Sequence, residues 1–232
     1  MSRILEITVA LSREARRIPL LWAAAGAGVL TVGVVAMLVT SGSSSAKPVP
    51  YPEKRFYVEV KRVLSGHSAK LEPEGRLVYA GIRTPYKDEP FYEEAKRRNI
   101  ELVEGKTLRL RFDVEEEDAK ARQVAYAFER GTPIGETLVR EGLAYVRLTP
   151  KTQRYASELL AAQADARRAK RGIWSVPPNE PETKYPADPK YGNFHRPACK
   201  EVPKIKPERL VTYRILGDAL DRGLAPCSKC RP

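Results

Sequence analysis

The sequence predicts an α+β protein that consists of an N-terminal transmembrane helix, a soluble domain of strands and helices, and a small C-terminal zinc-binding module. Three observations lead to this architecture. Residues 19–40 contain no charged side chain, residues 55–176 show strand-like and helix-like apolar spacing in turn, and all three cysteines of the 232-residue chain lie after residue 198. We expect six segments: a basic flank (1–18), a transmembrane helix (19–40), a linker (41–54), the soluble domain (55–176), a second linker (177–190) and the zinc-binding module (191–232).

The apolar run from Pro19 to Thr40 has the length of a membrane span, since about 20 residues at about 1.5 Å each cross a hydrocarbon core of roughly 30 Å. Three arginines lie among residues 13–17, whereas Lys47 is the only basic residue immediately after the run. Because positive charge marks the inner side of a membrane, we expect a single-pass protein with its N terminus inside and its soluble part in a periplasm or an organelle's intermembrane space. A cleaved signal peptide stays open as an alternative: its apolar core is shorter, about 7–15 residues, but residues 44–46 fit a cleavage site.

The soluble domain follows a Ser-, Gly- and Pro-rich tether. Its elements are predicted from apolar residues that alternate with polar ones in strands and recur every three or four residues in helices. We expect a strand at 56–64, a turn at 65–68 into a second strand, strands at 106–113 and 124–128, helices at 89–102, 133–141 and 152–170, and a last strand at 143–146 that completes the sheet.

Several segments of this domain resemble a known family. The turn Ser65–Ser68 and the stretch Leu77–Tyr86 (LVYAGIRTPY) keep the frame of the pattern Val-x-Asp-Gly-Asp-Thr followed by hydrophobic-Arg-Leu-x-Gly-Ile-Asp-Thr-Pro-Glu. Glu136–Val146 and Arg171–Trp174 resemble the segments that close the same domain. The soluble domain thus resembles the staphylococcal nuclease family, and the resemblance implies an OB-type β-barrel with packed helices over residues 55–176.

The same resemblance implies a degenerate active site. The positions of the family's two calcium-binding aspartates fall on His67 and Arg83, its general base on Tyr86, and its two phosphate-clamping arginines on Val78 and Arg122. Calcium requires several oxygen ligands, and a phenol with a pKa of about 10 is a poor base at neutral pH. We therefore expect neither calcium binding nor catalysis, while His67 as a base or metal ligand keeps a nuclease open as an alternative.

The C-terminal segment carries a metal-ligand pattern, His195-x3-Cys199 followed by Cys227-x2-Cys230. One imidazole and three thiolates form a closed tetrahedral ligand set for structural Zn²⁺. A module of about 40 residues has too small a core to fold without such help, and a helix predicted at 213–222 would return the chain to the site. Disulfides are the alternative in an oxidising compartment, although three cysteines leave one thiol unpaired.

The spacing of these ligands resembles the small zinc modules that follow some bacterial nuclease-like domains and, distantly, the zinc domain of the DNA-repair protein Ada. Residues 177–190 are rich in Pro, Glu, Asp and Lys and have no apolar periodicity, which predicts a flexible linker. We therefore expect the module to unfold independently of the barrel.

Three functions agree with the sequence. The net charge of +12 favours anionic partners without identifying one. We expect a membrane-anchored, catalytically inactive protein that serves as a binding or assembly subunit for protein partners in a membrane complex. The alternatives are a membrane-tethered nuclease that acts on phosphodiesters outside the membrane, and a nucleic-acid-binding protein that uses the barrel groove without cleavage.

Overall fold

The computed structural model describes residues 56–113, 122–176 and 182–232. The predicted basic flank (1–18), transmembrane helix (19–40) and first linker (41–54) lie outside the described residues and stay predictions. Among the residues that are described, no helix combines the length and the apolar character that crossing a membrane requires.

The barrel domain begins with β-strands and ends with a long helix, as the sequence predicts. Its elements are β1 (Phe56–Ser65), β2 (Ser68–Glu72), β3 (Arg76–Tyr79), β4 (Ile82–Arg83), α1 (Tyr92–Val103), β5 (Thr107–Arg111), β6 (Gln123–Glu129), β7 (Thr132–Pro133), α2 (Ile134–Arg140), β8 (Tyr145–Val146) and α3 (Ala156–Arg168). Five strands pair in the order β3-β2-β1-β5-β6, and a parallel β3–β6 ladder closes them into a barrel. The predicted α+β barrel is confirmed.

The barrel core is built by the inward-facing residues of these strands, because successive side chains point to opposite faces of a strand. Leu71, Leu77, Leu108 and Leu110 are all at most 2% exposed. Helix α3 covers the barrel with Leu159, Ala162 and Ala166, which recur at helical spacing and are buried. The apolar pattern of the sequence therefore predicts both the strands and the helix that packs on them.

A backbone contact between two glycines fixes the end of the domain. Gly142 and Gly172 both have positive φ, and a Cβ on either would lie 2.2 Å from a backbone oxygen of the facing segment. The Ile173 N–H donates to the Gly142 carbonyl at 2.8 Å. Only glycine fits at these two positions, which explains the Gly of the Arg171–Trp174 motif.

One predicted strand has a different role. Residues 143–146 were expected to complete the barrel sheet, but the strand is limited to β8 and pairs with β4 in a separate two-stranded sheet. The physical reason is that the β3–β6 pairing already closes the barrel. Strand β8 instead holds the segment that carries Arg83, which pairs with Tyr145.

The C-terminal module contains a four-stranded sheet and a short helix. Its elements are β9 (Tyr185–Asp188), β10 (Asn193–Phe194), β11 (Val211–Tyr213), α4 (Leu216–Asp221) and β12 (Ala225–Pro226), and the strand order is β11-β9-β10-β12. Strand β9 lies inside the segment predicted as a linker (177–190). The prediction failed there because this strand is short and contains Pro186, yet all four of its residues are buried between β11 and β10.

The module packs directly on the barrel. The Leu148 N–H donates to the Gly223 carbonyl at 2.7 Å, and the buried Gln163 side chain of α3 donates to the Leu220 carbonyl at 2.9 Å. The rings of Tyr145 and Trp174 pack against the core of the module. Barrel and module belong to one compact unit, so the described residues do not show the separation that a flexible linker was expected to give.

Candidate functional site

Arg83 occupies the position of a calcium-binding aspartate and lies in the centre of the barrel–module contact. Its side chain is 3% exposed, and its Nη1 and Nη2 atoms donate to the two carboxylate oxygens of Glu89 at 2.8 and 3.1 Å. Its Nε and Nη2 atoms also donate to the Pro226 carbonyl at 3.3 and 3.0 Å. The rings of Tyr86 and Tyr145 lie 4.9 and 5.1 Å from the guanidinium carbon. Arg83 therefore joins the barrel to the residue that precedes Cys227.

His67 occupies the other calcium position, in the turn between β1 and β2. Its Nδ1 lies 2.7 Å from the Thr84 hydroxyl. A Cβ on Gly66 would lie 2.7 Å from the same hydroxyl oxygen, so the turn is pressed against Thr84 and needs glycine. Burial, reinforced by the charges of Arg83, Arg147, Arg76 and Arg122, lowers the pKa of the His67 imidazole to about 4. The ring is therefore neutral at pH 7.

The described residues at this position do not fit a calcium ion. Calcium is bound by about six to eight oxygen ligands, whereas the two aspartate positions offer an imidazole and a guanidinium. The nearby carboxylate, Glu89, already accepts both Arg83 hydrogen bonds and a third from the Tyr86 N–H at 2.8 Å. No calcium-dependent step can be derived from this geometry.

The three remaining predicted site residues are Val78, Tyr86 and Arg122. Val78 on β3 pairs with Ser68, the residue after His67. Tyr86 is 42% exposed and stacks on Arg83, and Arg122 directly precedes β6. Arg83 and Arg122 lie close enough to His67 for their charges to lower its pKa, and Arg122 alone of the five positions keeps the residue type of the family.

Sequence reasoning missed two residues that define this site. Glu89 was assigned to the start of a helix, but α1 begins at Tyr92 and Glu89 lies in the turn before it. Arg147 follows β8 and donates from Nε to the Tyr191 carbonyl at 3.0 Å. No local pattern signals either residue, because their partners are set by the β4–β8 pairing and by the C-terminal module.

The predicted zinc ligands do converge. The donor atoms of His195, Cys199, Cys227 and Cys230 all lie within 4.8 Å of one another, and the first three residues are buried. Parallel pairing of β10 with β12 places the two ligand pairs side by side, and the Cys227 N–H donates to the Phe194 carbonyl at 2.9 Å. One imidazole nitrogen and three sulfur atoms in this arrangement fit a tetrahedral zinc ion.

The environments of His195 and Cys227 also suit metal ligands. The Nδ1 atom of His195 is buried and has no hydrogen-bond partner among the described residues, a state that a bound ion would explain. Burial acts to raise the pKa of the Cys227 thiol, but hydrogen bonds from His195 and from the N–H groups of Cys230 and Lys229 lower it to about 6. Burial raises the pKa of the neighbouring Cys230 thiol to about 12. The three cysteines are unpaired in the structure.

The barrel domain is similar in sequence to known proteins. Residues 76–176 match the family described as "Staphylococcal nuclease homologue". The chain is 31% identical to the endonuclease YncB of Bacillus subtilis over 135 residues, which cover 53% of this chain and 64% of that protein. It is 32% identical to the SPbeta prophage-derived endonuclease YokF of the same organism over 130 residues, covering 51% of this chain and 44% of the other.

A third relative, the thermonuclease of Staphylococcus hyicus, is 27% identical over 126 residues, which cover 50% of this chain and 75% of that protein. The matched regions span less than two thirds of the length of the two Bacillus proteins. The family match ends at residue 176 and does not include the His/Cys cluster. The barrel of this chain is thus similar to the staphylococcal nuclease family over residues 76–176.

Proposed function

We propose that this chain is a non-hydrolytic member of the staphylococcal nuclease family, anchored to a membrane by residues 19–40, that serves as a binding or assembly subunit. The environment of Arg83 carries this proposal. A guanidinium that is almost fully buried, ion-paired and bonded to the C-terminal module is part of the architecture. It cannot swing away to admit a metal ion without breaking the contact between barrel and module.

The charge of Arg83 opposes a calcium ion directly. The Arg83 guanidinium repels a divalent cation, and the one carboxylate beside it, that of Glu89, is already neutralised by this arginine. The family arrangement gains energy at this place, because an aspartate attracts the ion. The remaining groups, a neutral imidazole and a phenol, supply no charge that replaces this attraction.

We further propose that His195, Cys199, Cys227 and Cys230 hold one structural zinc ion. Bound zinc supplies ligation energy that stabilises a small module. The set offers no open coordination position, since all four places are taken by protein ligands. Because Pro226 precedes Cys227 and accepts hydrogen bonds from Arg83, the metal would also hold the segment that replaces the calcium site.

The hydrolytic test uses the full-length chain in neutral detergent, with single-stranded DNA and millimolar calcium. We expect no cleavage above the background of a mock preparation. Calcium-stimulated cleavage that disappears in Arg122→Ala would support the nuclease alternative and overturn the proposal. The matched control is Arg130→Ala, a 92% exposed arginine in the β6–β7 turn, which separates a site effect from a general loss of positive charge.

A further inference from the structure

We propose that a cleft between the barrel and the C-terminal module binds a small dianionic oxyanion of the phosphate type, with Arg147 as the main recognition residue. The cleft has a volume of about 350 Å³. Side chains able to contact such an ion line it from both sides: Tyr86 and Arg147 from the barrel, and Asn193, Lys204, Ser228 and Lys229 from the module. The module residues lie beyond residue 176, outside the family match.

Arg147 is the cation of this cleft that lacks a counter-charge. Among the described residues it makes no ion pair, and the hydrogen bond it donates runs from Nε to the Tyr191 carbonyl. Arg83 is neutralised by Glu89 at 2.8 Å. Asp188, which also lines the cleft, is paired with Arg209 at 3.1 Å.

The lysines of the cleft add a second unit of positive charge. Lys204 and Lys229 share the single carboxylate of Glu201, at 3.0 and 2.7 Å. Two cations on one carboxylate leave one positive charge, and with Arg147 the positive charge exceeds the single net negative charge of a zinc ion bound by three thiolates. A dianion gains more from this positive lining than a single carboxylate does.

The position of Arg147 favours an anion that binds through two oxygens. The side chain is half-buried, and burial, together with the charges of Arg83 and Arg122, lowers the pKa of its guanidinium. A partly desolvated cation gains more from an anion than one in water does. The planar guanidinium offers two parallel N–H groups to a phosphate or similar oxyanion, and the Ser228 hydroxyl and Asn193 amide supply uncharged donors.

The test measures binding of inorganic phosphate to the full-length chain in neutral detergent by isothermal titration calorimetry. Arg147→Gln should weaken binding by at least about tenfold, since it removes a charge-assisted hydrogen-bond pair. Arg130→Gln, which removes the same charge at a distant exposed site, should leave the affinity unchanged. Circular dichroism and metal content serve to show that both variants are folded.

Two further ligands identify the source of the oxyanion. Glycerol 3-phosphate presents a dianionic monoester, and dimethyl phosphate presents a monoanionic diester. We expect phosphate and the monoester to bind more tightly than the diester. Absence of binding by all three ligands, tighter binding of the diester, or an equal loss in Arg147→Gln and Arg130→Gln would each overturn the inference.

The inference rests on the proposed function in one respect: the two predicted calcium-binding positions carry His67 and Arg83 in place of carboxylates, so neither position supplies an acidic side chain to Arg147. The two can nevertheless fail separately. A chain that neither cleaves DNA nor binds phosphate contradicts the oxyanion site alone. A chain that binds phosphate through Arg147 and also cleaves DNA with calcium contradicts the non-hydrolytic function alone.

Discussion

Replacing Arg83 by methionine tests whether this residue is an architectural element. The side chains of the Arg83–Glu89 pair are 3% and 11% exposed, so solvent screens their interaction little. Removing one partner of a buried ion pair costs about 3–5 kcal/mol, because the other charge is left buried and unpaired. For a protein of this size, about 1 kcal/mol lowers the melting temperature by about 2–4 °C. We therefore expect Arg83→Met to lower the free energy of unfolding by about 3–5 kcal/mol and the melting temperature by about 6–20 °C.

The assay is denaturant unfolding of the full-length chain in neutral detergent, with the free energy obtained by linear extrapolation. Arg98→Met is the matched control, because Arg98 is ion-paired with Glu141 at 2.9 Å but both side chains are 35% exposed. Such a pair contributes at most about 1 kcal/mol. The double variant Arg83→Met/Glu89→Leu should regain part of the lost stability. The reasoning is refuted if Arg83→Met lowers the free energy of unfolding by no more than Arg98→Met does.

Three other predictions follow from the structure and sequence. Elemental analysis should find about one zinc per chain in the native protein and none in Cys227→Ser. The Cys227→Ser substitution should also destabilise the barrel, because the module packs on it. A zinc-free native protein with a Cys227–Cys230 disulfide would contradict the zinc site. The pKa of His67 is lowered to about 4 in the folded protein, so the unfolded chain binds the proton more readily. The free energy of unfolding should therefore fall by up to about 3 kcal/mol as the pH drops from about 6.5 to about 4. The free energy of unfolding of His67→Asn should fall less over the same pH range. Equal pH profiles of the two proteins would show that the His67 imidazole does not cause the fall. Carbonate washing should leave the chain in the membrane pellet, since residues 19–40 are uncharged; release, or a mature N terminus at Lys47, would show a peripheral or cleaved segment.

The barrel was predictable because its strands and helix α3 bury regular apolar patterns. Leu108 and Leu110 alternate along β5, and Leu159, Ala162 and Ala166 form one face of α3. The cluster of the four predicted zinc ligands was predictable for a related reason. Each pair, His195 with Cys199 and Cys227 with Cys230, is close in sequence, and the chemistry of thiolates restricts what the set can bind.

The partners of Arg83 were not predictable from the sequence. The guanidinium bonds to a carbonyl 143 residues away, and no sequence period relates two such positions. Strand β9 escaped detection because a four-residue strand containing a proline has too little pattern, although the fold buries it fully. The assembly of module on barrel is thus a tertiary property. It arises from contacts between residues far apart in sequence, such as the backbone hydrogen bond of Leu148 to Gly223, and no local pattern signals such contacts.

The central claim is that the family's calcium site has become a structural contact, and calcium binding tests it most directly. Titration calorimetry of the full-length chain in neutral detergent, at pH 7.5 with zinc supplied, should show no calcium binding at this position up to millimolar concentrations. A stoichiometric calcium site, together with displacement of the Arg83 guanidinium from Glu89 in a calcium-soaked crystal, would contradict the account.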